Sequence, residues 1–147
     1  LLFTFPGVPS IYYGEEIGLN SSRKDVESSR NCMVWDESKW NMDLRHLYKT
    51  LAKLRIANRA LREGSFQNVY AHGDILSFAR FTARQLYLII LNNGVAKTHV
   101  DLPVRIVGLE GGNVLRDELT GRKFVVSEEG LRLDLEDYEG MILKKIR

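Results

Sequence analysis

After Gly64 the apolar residues of this chain change period, and no other feature constrains its fold as strongly. Before that glycine, Leu44, Leu47, Tyr48, Leu51, Leu54 and Leu61 recur at the spacing of one helix face. Asn41 is placed to cap such a helix, Asp43 lies in its first turn, and Gly64 stands just past its last periodic residue. Beyond Gly64 the pattern becomes short runs of alternating or continuous apolar residues. Phe66, Val69 and Tyr70 begin it. The runs Ile75 to Phe81, Leu86 to Leu91, His99 to Leu102, Lys123 to Val126, Leu131 to Leu135 and Met141 to Leu143 continue it. Turn-forming residues separate them, as in His72-Gly73-Asp74, Asn92-Asn93-Gly94, Thr120-Gly121 and Glu129-Gly130. Short strands at this spacing predict an antiparallel sandwich or barrel.

The residues ahead of the helix are of a different kind. Val8 to Tyr13 is an apolar, β-branched and aromatic run bracketed by Pro6-Gly7 and Gly14. It reads as a strand buried on both faces, the type found in parallel sheets. Leu1 to Phe5 reads as the end of a preceding helix. From Asn20 to Asn41 the sequence turns polar and aperiodic, and connections of that length are commonly functional or disordered. Gly108 to Gly112 lacks the Lys-Ser/Thr of a phosphate-binding loop, so a hairpin turn is expected there. The organisation is one strand, a long loop and a helix over residues 1–62, then an all-β module over residues 63–147. Of these, the β module alone is expected to be self-sufficient.

Composition removes several function classes. With 44% hydrophobic and 27% charged residues, the chain of 147 is globular rather than disordered. A net charge of +2 gives no reason to expect nucleic acid or an anionic membrane as partner. Arg45, Lys49, Lys53, Arg59 and Arg62, opposite the apolar helix face, read as a solvated outer surface. Cys32 is a single cysteine and cannot close an internal disulfide. His46, His72 and His99 lie on unrelated elements without metal-ligand spacing, and no run of oxygen ligands suggests calcium. No metal and no cofactor are therefore expected. Leu1 to Phe5 is too short for a membrane span and lacks the features of a signal peptide.

Several motifs resemble the α-amylase superfamily of glycoside hydrolases. Gly7-x-Pro9-x-x-Tyr12-Tyr13-Gly14-x-Glu16 is similar to that family's eighth barrel strand, and Arg30-x-x-Met33-x-Trp35 to the loop behind it. Leu54-Arg55-x-x-Asn58-x-Ala60-Leu61-Arg62-x-Gly64 resembles the end of the eighth helix. Leu91-Asn92-Asn93 and Asp117-x-Leu119-Thr120-Gly121 resemble the sandwich that follows the barrel. The flavour is nearest to neopullulanase, cyclomaltodextrinase and maltogenic amylase. Asp25-Val26-Glu27-Ser28-Ser29-Arg30 departs from the family by lacking the proline of its Asp-Pro pair.

The resemblance implies an α+β fold class, with the last β/α unit of a TIM (β/α)8 barrel followed by an antiparallel β-sandwich. It implies a parent enzyme acting on α-glucans or cyclomaltodextrins with retention of configuration. The family's three catalytic carboxylates sit at the ends of strands four, five and seven, all ahead of Leu1, so no catalytic residue is expected here and the chain alone should be inactive. Its expected partners are an α-glucan or maltodextrin substrate and the barrel portion N-terminal to these residues, with a homodimer left open. The cytoplasm is the expected compartment, although a signal peptide would lie ahead of Leu1.

Retaining hydrolysis needs two carboxyl groups roughly 5 Å apart across the bond. Glu15 and Glu16 are adjacent, and neighbours at a strand end point in different directions, so they are poorly placed to form that pair. A structural role is expected for both, with Glu16 the more constrained. Barrel enzymes carry their sites at the carboxyl ends of the strands, which places Tyr13, Glu16, Arg30, Met33 and Trp35 on the sugar-binding rim. Trp35 and Trp40 offer flat faces for a pyranose, while packing of Met33 and Trp35 onto the rim and an ion pair for Arg30 are the plainer readings. Two alternatives remain, the second within the resemblance itself. One is a non-catalytic glucan-binding or subunit-docking sandwich; the other is a non-hydrolytic relative such as a transglycosylase or a transporter-associated homologue.

Overall fold

The computed structural model of the chain describes residues 1–19 and 31–147. It divides into two compact units, Leu1–Asn58 and Arg59–Arg147.

The second unit begins with a short helix, α2 (Arg59–Glu63), and continues through eight strands. These are β1 (Ser65–His72), β2 (Ile75–Phe81), β3 (Leu86–Asn92), β4 (Thr98–Leu102), β5 (Val114–Asp117), β6 (Lys123–Val125), β7 (Leu131–Leu135) and β8 (Gly140–Lys145). Six form one sheet in the order β1-β2-β3-β8-β5-β6, and β4 pairs with β7 in a second sheet. Every pairing is antiparallel. Val100, Leu102, Leu131, Leu133 and Leu135 from the small sheet share one core with Ile75, Ala79, Leu88, Ile90, Leu115, Met141 and Leu143 from the large one. The module is thus an antiparallel sandwich.

Its two sheets differ in a way that their sequences already carry. β4 and β7 alternate buried and exposed residues, as a strand with one wet face must. β2 and β3 are apolar almost throughout, because both of their faces are buried. Ile75, Ala79, Leu88 and Ile90 face the sandwich core, while Phe78, Tyr87 and Ile89 are buried on the reverse side. Ala60 and Leu61 of α2 are fully buried, and α2 packs against β2 and β3. Gly64, just past this helix, leaves no room for a side chain: a β-carbon there would stand 2.4 Å from the Ala60 carbonyl oxygen and 2.7 Å from that of Phe81.

The motifs Leu91-Asn92-Asn93 and Asp117-x-Leu119-Thr120-Gly121 are turn scaffolds. The buried Asn92 amide donates to the carbonyls of Ala96 and Glu136 and accepts from the Gly94 N–H. The buried Asp117 carboxylate accepts from the N–H groups of Leu119, Thr120 and Ile142 and from the Thr120 hydroxyl. Two expectations for this unit need correction. Gly108 to Gly112 is not a hairpin turn: with the 3-10 turn Val104–Val107 it carries the chain from β4 in one sheet to β5 in the other. β5 itself was not expected, since four residues are too few to show a period.

In the first unit, α1 (Met42–Ala57) starts where the sequence places it, with the Asn41 side chain accepting from the Leu44 N–H at 2.9 Å. It ends earlier than the apolar spacing predicts. The Asn58 side-chain amide donates to the Leu54 carbonyl at 2.8 Å, occupying the acceptor its own N–H would take in a continuous helix. That N–H falls back to Arg55 O, and Asn58 adopts an extended conformation. Leu1 to Phe5 forms a helical turn, with Thr4 and Phe5 N–H groups donating to Leu1 O.

The expected strand at Val8 to Tyr13 is absent. These residues form no ladder, and Val8 is 93% exposed. A strand of the parallel kind takes its hydrogen bonds from neighbours on each side, and the first unit contains no other strand among the described residues. Gly14 (φ +87) then turns the backbone into a 3-10 turn, Glu15–Ile17, which Gly18 (φ +71) closes.

Candidate functional site

The first unit contains an open cavity of about 590 Å³, lined chiefly by apolar atoms. It brings together Tyr13, Glu16, Met33 and Trp35, four of the five residues expected on the rim, with Trp40, Arg45, Tyr48 and Lys49. Arg30, the fifth, lies outside the described residues, as does the segment Asp25 to Ser29.

Each wall follows from local structure. Gly14 lets the chain double back after Tyr13, and the 3-10 turn then presents Glu16. The Tyr13 hydroxyl donates to Asn31 O at 3.0 Å, which ties the two segments together. Trp40 follows another 3-10 turn, Glu37–Lys39, capped by the Asp36 carboxylate accepting from Ser38. Its indole N–H donates to Val34 O at 2.6 Å, and the Arg45 guanidinium lies 4.7 Å from its ring centre. Arg45, Tyr48 and Lys49 share one face of α1 because they stand three and four residues apart.

The two adjacent carboxylates have separate surroundings. Glu15 is exposed and its Oε2 accepts from the Tyr12 N–H at 3.3 Å. Glu16 is half-buried in the cavity wall, and its Oε2 is buried with no hydrogen-bond partner among the described residues. An acceptor in that state calls for a donor that the described residues do not supply. The Tyr48 hydroxyl is held above its ordinary pKa by burial first and by the charges of Glu15 and Glu16 next, so it stays a neutral donor at physiological pH.

Two features of the wall correct or extend the sequence reading. Arg45 and Lys49 are part of the cavity and not only a solvated outer face. Tyr48 belongs to the apolar stripe by spacing, and its position three residues beyond Arg45 also brings it to the cavity wall. Trp35 is 79% exposed and free to offer its face. A ring of aromatic faces with a few polar groups suits a polyhydroxylated ring with apolar faces. Among the described residues, no three His, Cys, Asp or Glu side chains are grouped to hold a metal, and no helix is long and apolar enough to cross a membrane. Another cleft, of about 420 Å³ at the β1–β2 turn around His72, Asp74 and Asn93, has no aromatic wall apart from the histidine.

Comparison with known proteins agrees with these features. Residues 66–135 match the family model of the neopullulanase-like C-terminal domain. The chain is 35% identical over 142 residues to a cyclomaltodextrinase of Geobacillus thermopakistaniensis and 34% identical over 142 residues to neopullulanase 2 of Thermoactinomyces vulgaris. In both cases the match takes in 95% of this chain and 23% of the relative. The solved α-amylase of Geobacillus thermoleovorans superposes with a TM-score of 0.86 at 26% identity, over 99% of this chain and 31% of that one. The chain therefore spans less than a quarter of the length of the first two relatives. It belongs to the α-amylase superfamily, and its second unit carries the neopullulanase-like C-terminal domain.

Proposed function

We propose that this chain is the C-terminal portion of a glycoside hydrolase that acts on α-glucans or cyclomaltodextrins with retention of configuration. In this reading residues 1–62 supply the closing strand, loop and helix of a (β/α)8 barrel, and residues 63–147 form the sandwich that follows it in sequence. Tyr13, Glu16, Arg30, Met33 and Trp35 belong to the rim that holds the sugar, and the catalytic carboxylates lie N-terminal to Leu1. One observation carries the site. Four of those five residues converge on a single aromatic-walled cavity. The matching of nearly the whole chain to less than a quarter of each relative supports the assignment of the remaining parts.

The chemistry of this portion is binding and orientation. Trp35 would stack on a pyranose face, and the half-buried Glu16 would help to shape the wall beside it. The test compares the 147-residue chain with a polypeptide that continues upstream through a full barrel, on maltodextrin, cyclodextrin and pullulan. The chain alone is expected to give no turnover, and the longer protein to release α-anomeric product. Trp35→Ala in the longer protein should raise KM several-fold. Turnover by the purified chain alone, or none by the longer protein on any of the three, would sink the proposal.

A further inference from the structure

Arg55 stands on the last turn of α1 and is the buried side chain of that helix, 7% exposed. The glucan reading assigns it nothing. Its Nη1 donates to the carbonyl oxygens of Phe3, at 2.8 Å, and Phe5, at 3.3 Å, and its Nη2 donates to that of Gly7. The Phe3 and Phe5 carbonyls belong to the helical turn at Leu1 to Phe5 and that of Gly7 lies just beyond it, where the end of a turn leaves acceptors without donors of its own. A cation at that end is favoured by the carbonyl dipoles. The planar guanidinium, with five N–H donors in one fork, can serve three carbonyls at once, which a lysine ammonium on its flexible stem does poorly. Immediately beyond, Gly7 (φ +108) turns the chain toward Val8.

The same segment meets α1 at two more places. The Phe3 ring stands edge-on to Tyr48 at 5.5 Å, and the Asn41 N–H at the start of α1 donates to Ile17 O at 3.0 Å. Residues 3–18 are therefore pinned at the two ends and the middle of one rigid helix. Tyr13 and Glu16 lie between the pins, flanked by Gly14 and Gly18, whose left-handed backbone would otherwise let the segment turn freely.

We propose that Arg55 is a positioning residue: by gathering the carbonyls of Phe3, Phe5 and Gly7 it sets where Tyr13 and Glu16 stand in the cavity wall. It thereby controls sugar affinity without touching the sugar. The structural half of this inference stands on the hydrogen bonds alone, and the affinity half rests on the glucan reading of the cavity.

The experiment follows hydrogen exchange in the 147-residue chain and its Arg55→Met and Arg55→Lys variants, with fluorotyrosine labelling to observe Tyr13. Arg55→Met should speed exchange of the amides of Ile17, Gly18 and Leu19 about ten-fold, move the Tyr13 fluorine signal and leave β3 unchanged. Arg55→Lys should restore part of both. Exchange that changes only at Leu54 to Asn58 would mean that Arg55 merely supports its own helix, and would overturn the inference. So would Ile17 to Leu19 amides already unprotected in the unaltered chain. In the longer polypeptide assayed above, Arg55→Met should raise KM for maltotriose about ten-fold with kcat within about two-fold. A shifted exchange pattern with unchanged KM would remove the affinity half and leave the anchor. An unaltered longer protein that turns over no glucan would remove the glucan reading instead.

Discussion

The two units of this chain solve the same problem with unequal means. The second buries sixteen residues in one cluster between its two sheets, from Val69 on β1 to Leu143 on β8. In the first, Phe3 and Ile17 are the buried hydrophobic side chains among the described residues, while Val8, Ile11, Tyr12, Trp35, Leu47 and Ile56 are exposed. Their apolar patterns are equally regular in sequence, yet a sandwich supplies both walls of its core and a lone helix with an extended segment supplies one. Periodicity states which face wants cover; topology decides whether the chain provides it.

The largest consequence concerns local stability. Opening free energies range from near zero in poorly packed segments to the global value in core strands. Amides of Leu88, Ile89 and Ile90 on β3 should therefore exchange at least about a thousand-fold more slowly than those of Val8 to Tyr13. Native-state hydrogen exchange on the monomer measures this directly. Comparable protection in the two segments would erase the contrast and show that the first unit closes a core of its own.

Side-chain truncation sharpens the comparison on a smaller scale. Leu135 is fully buried between the sheets, and Leu47 on α1 is 41% exposed. Leu135→Ala should cost about 2–5 kcal/mol through lost transfer energy and a residual cavity. Leu47→Ala should cost less than about 1 kcal/mol, since the side chain is already wet and alanine favours the helix. Urea titrations of the two variants decide it, and equal losses would contradict the picture.

How much of this was legible in the sequence follows from how local each signal is. The helix start at Asn41 and the strands β2, β3, β4 and β7 depend on spacing and turn residues within a few positions, and the structure contains them. Val8 to Tyr13 carries a strand's composition, but a ladder needs neighbours that no residue of the segment encodes. The break at Asn58 turned on one side-chain amide competing with the backbone. At the cavity, the motif positions Tyr13, Glu16, Met33 and Trp35 could be named from the sequence, whereas the role of Arg55 could not. That role depends on carbonyls about fifty positions away, and a guanidinium seeking backbone oxygens leaves no mark in periodicity or charge pattern.

The smallest effect lies inside the better-built unit. Tyr87 is fully buried on the reverse face of the large sheet, and its hydroxyl has no hydrogen-bond partner among the described residues. Burial raises its pKa above the ordinary value, the Glu118 charge adds to this, and Arg116 partly offsets it. As pH rises through about 10, the unfolded chain loses this proton while the folded chain keeps it. Stability should thus be insensitive to Tyr87 ionisation below that pH and fall above it. Tyr87→Phe removes both the unpaired hydroxyl and this alkaline loss. At about pH 8 the variant should be as stable as the unaltered chain or slightly more so, and at about pH 11 its advantage should grow by about 1 kcal/mol. Urea midpoints at the two pH values test the sign. An advantage that shrinks with rising pH would mean that the hydroxyl finds a partner in solution and that the reverse face of the large sheet is less closed than its burial indicates.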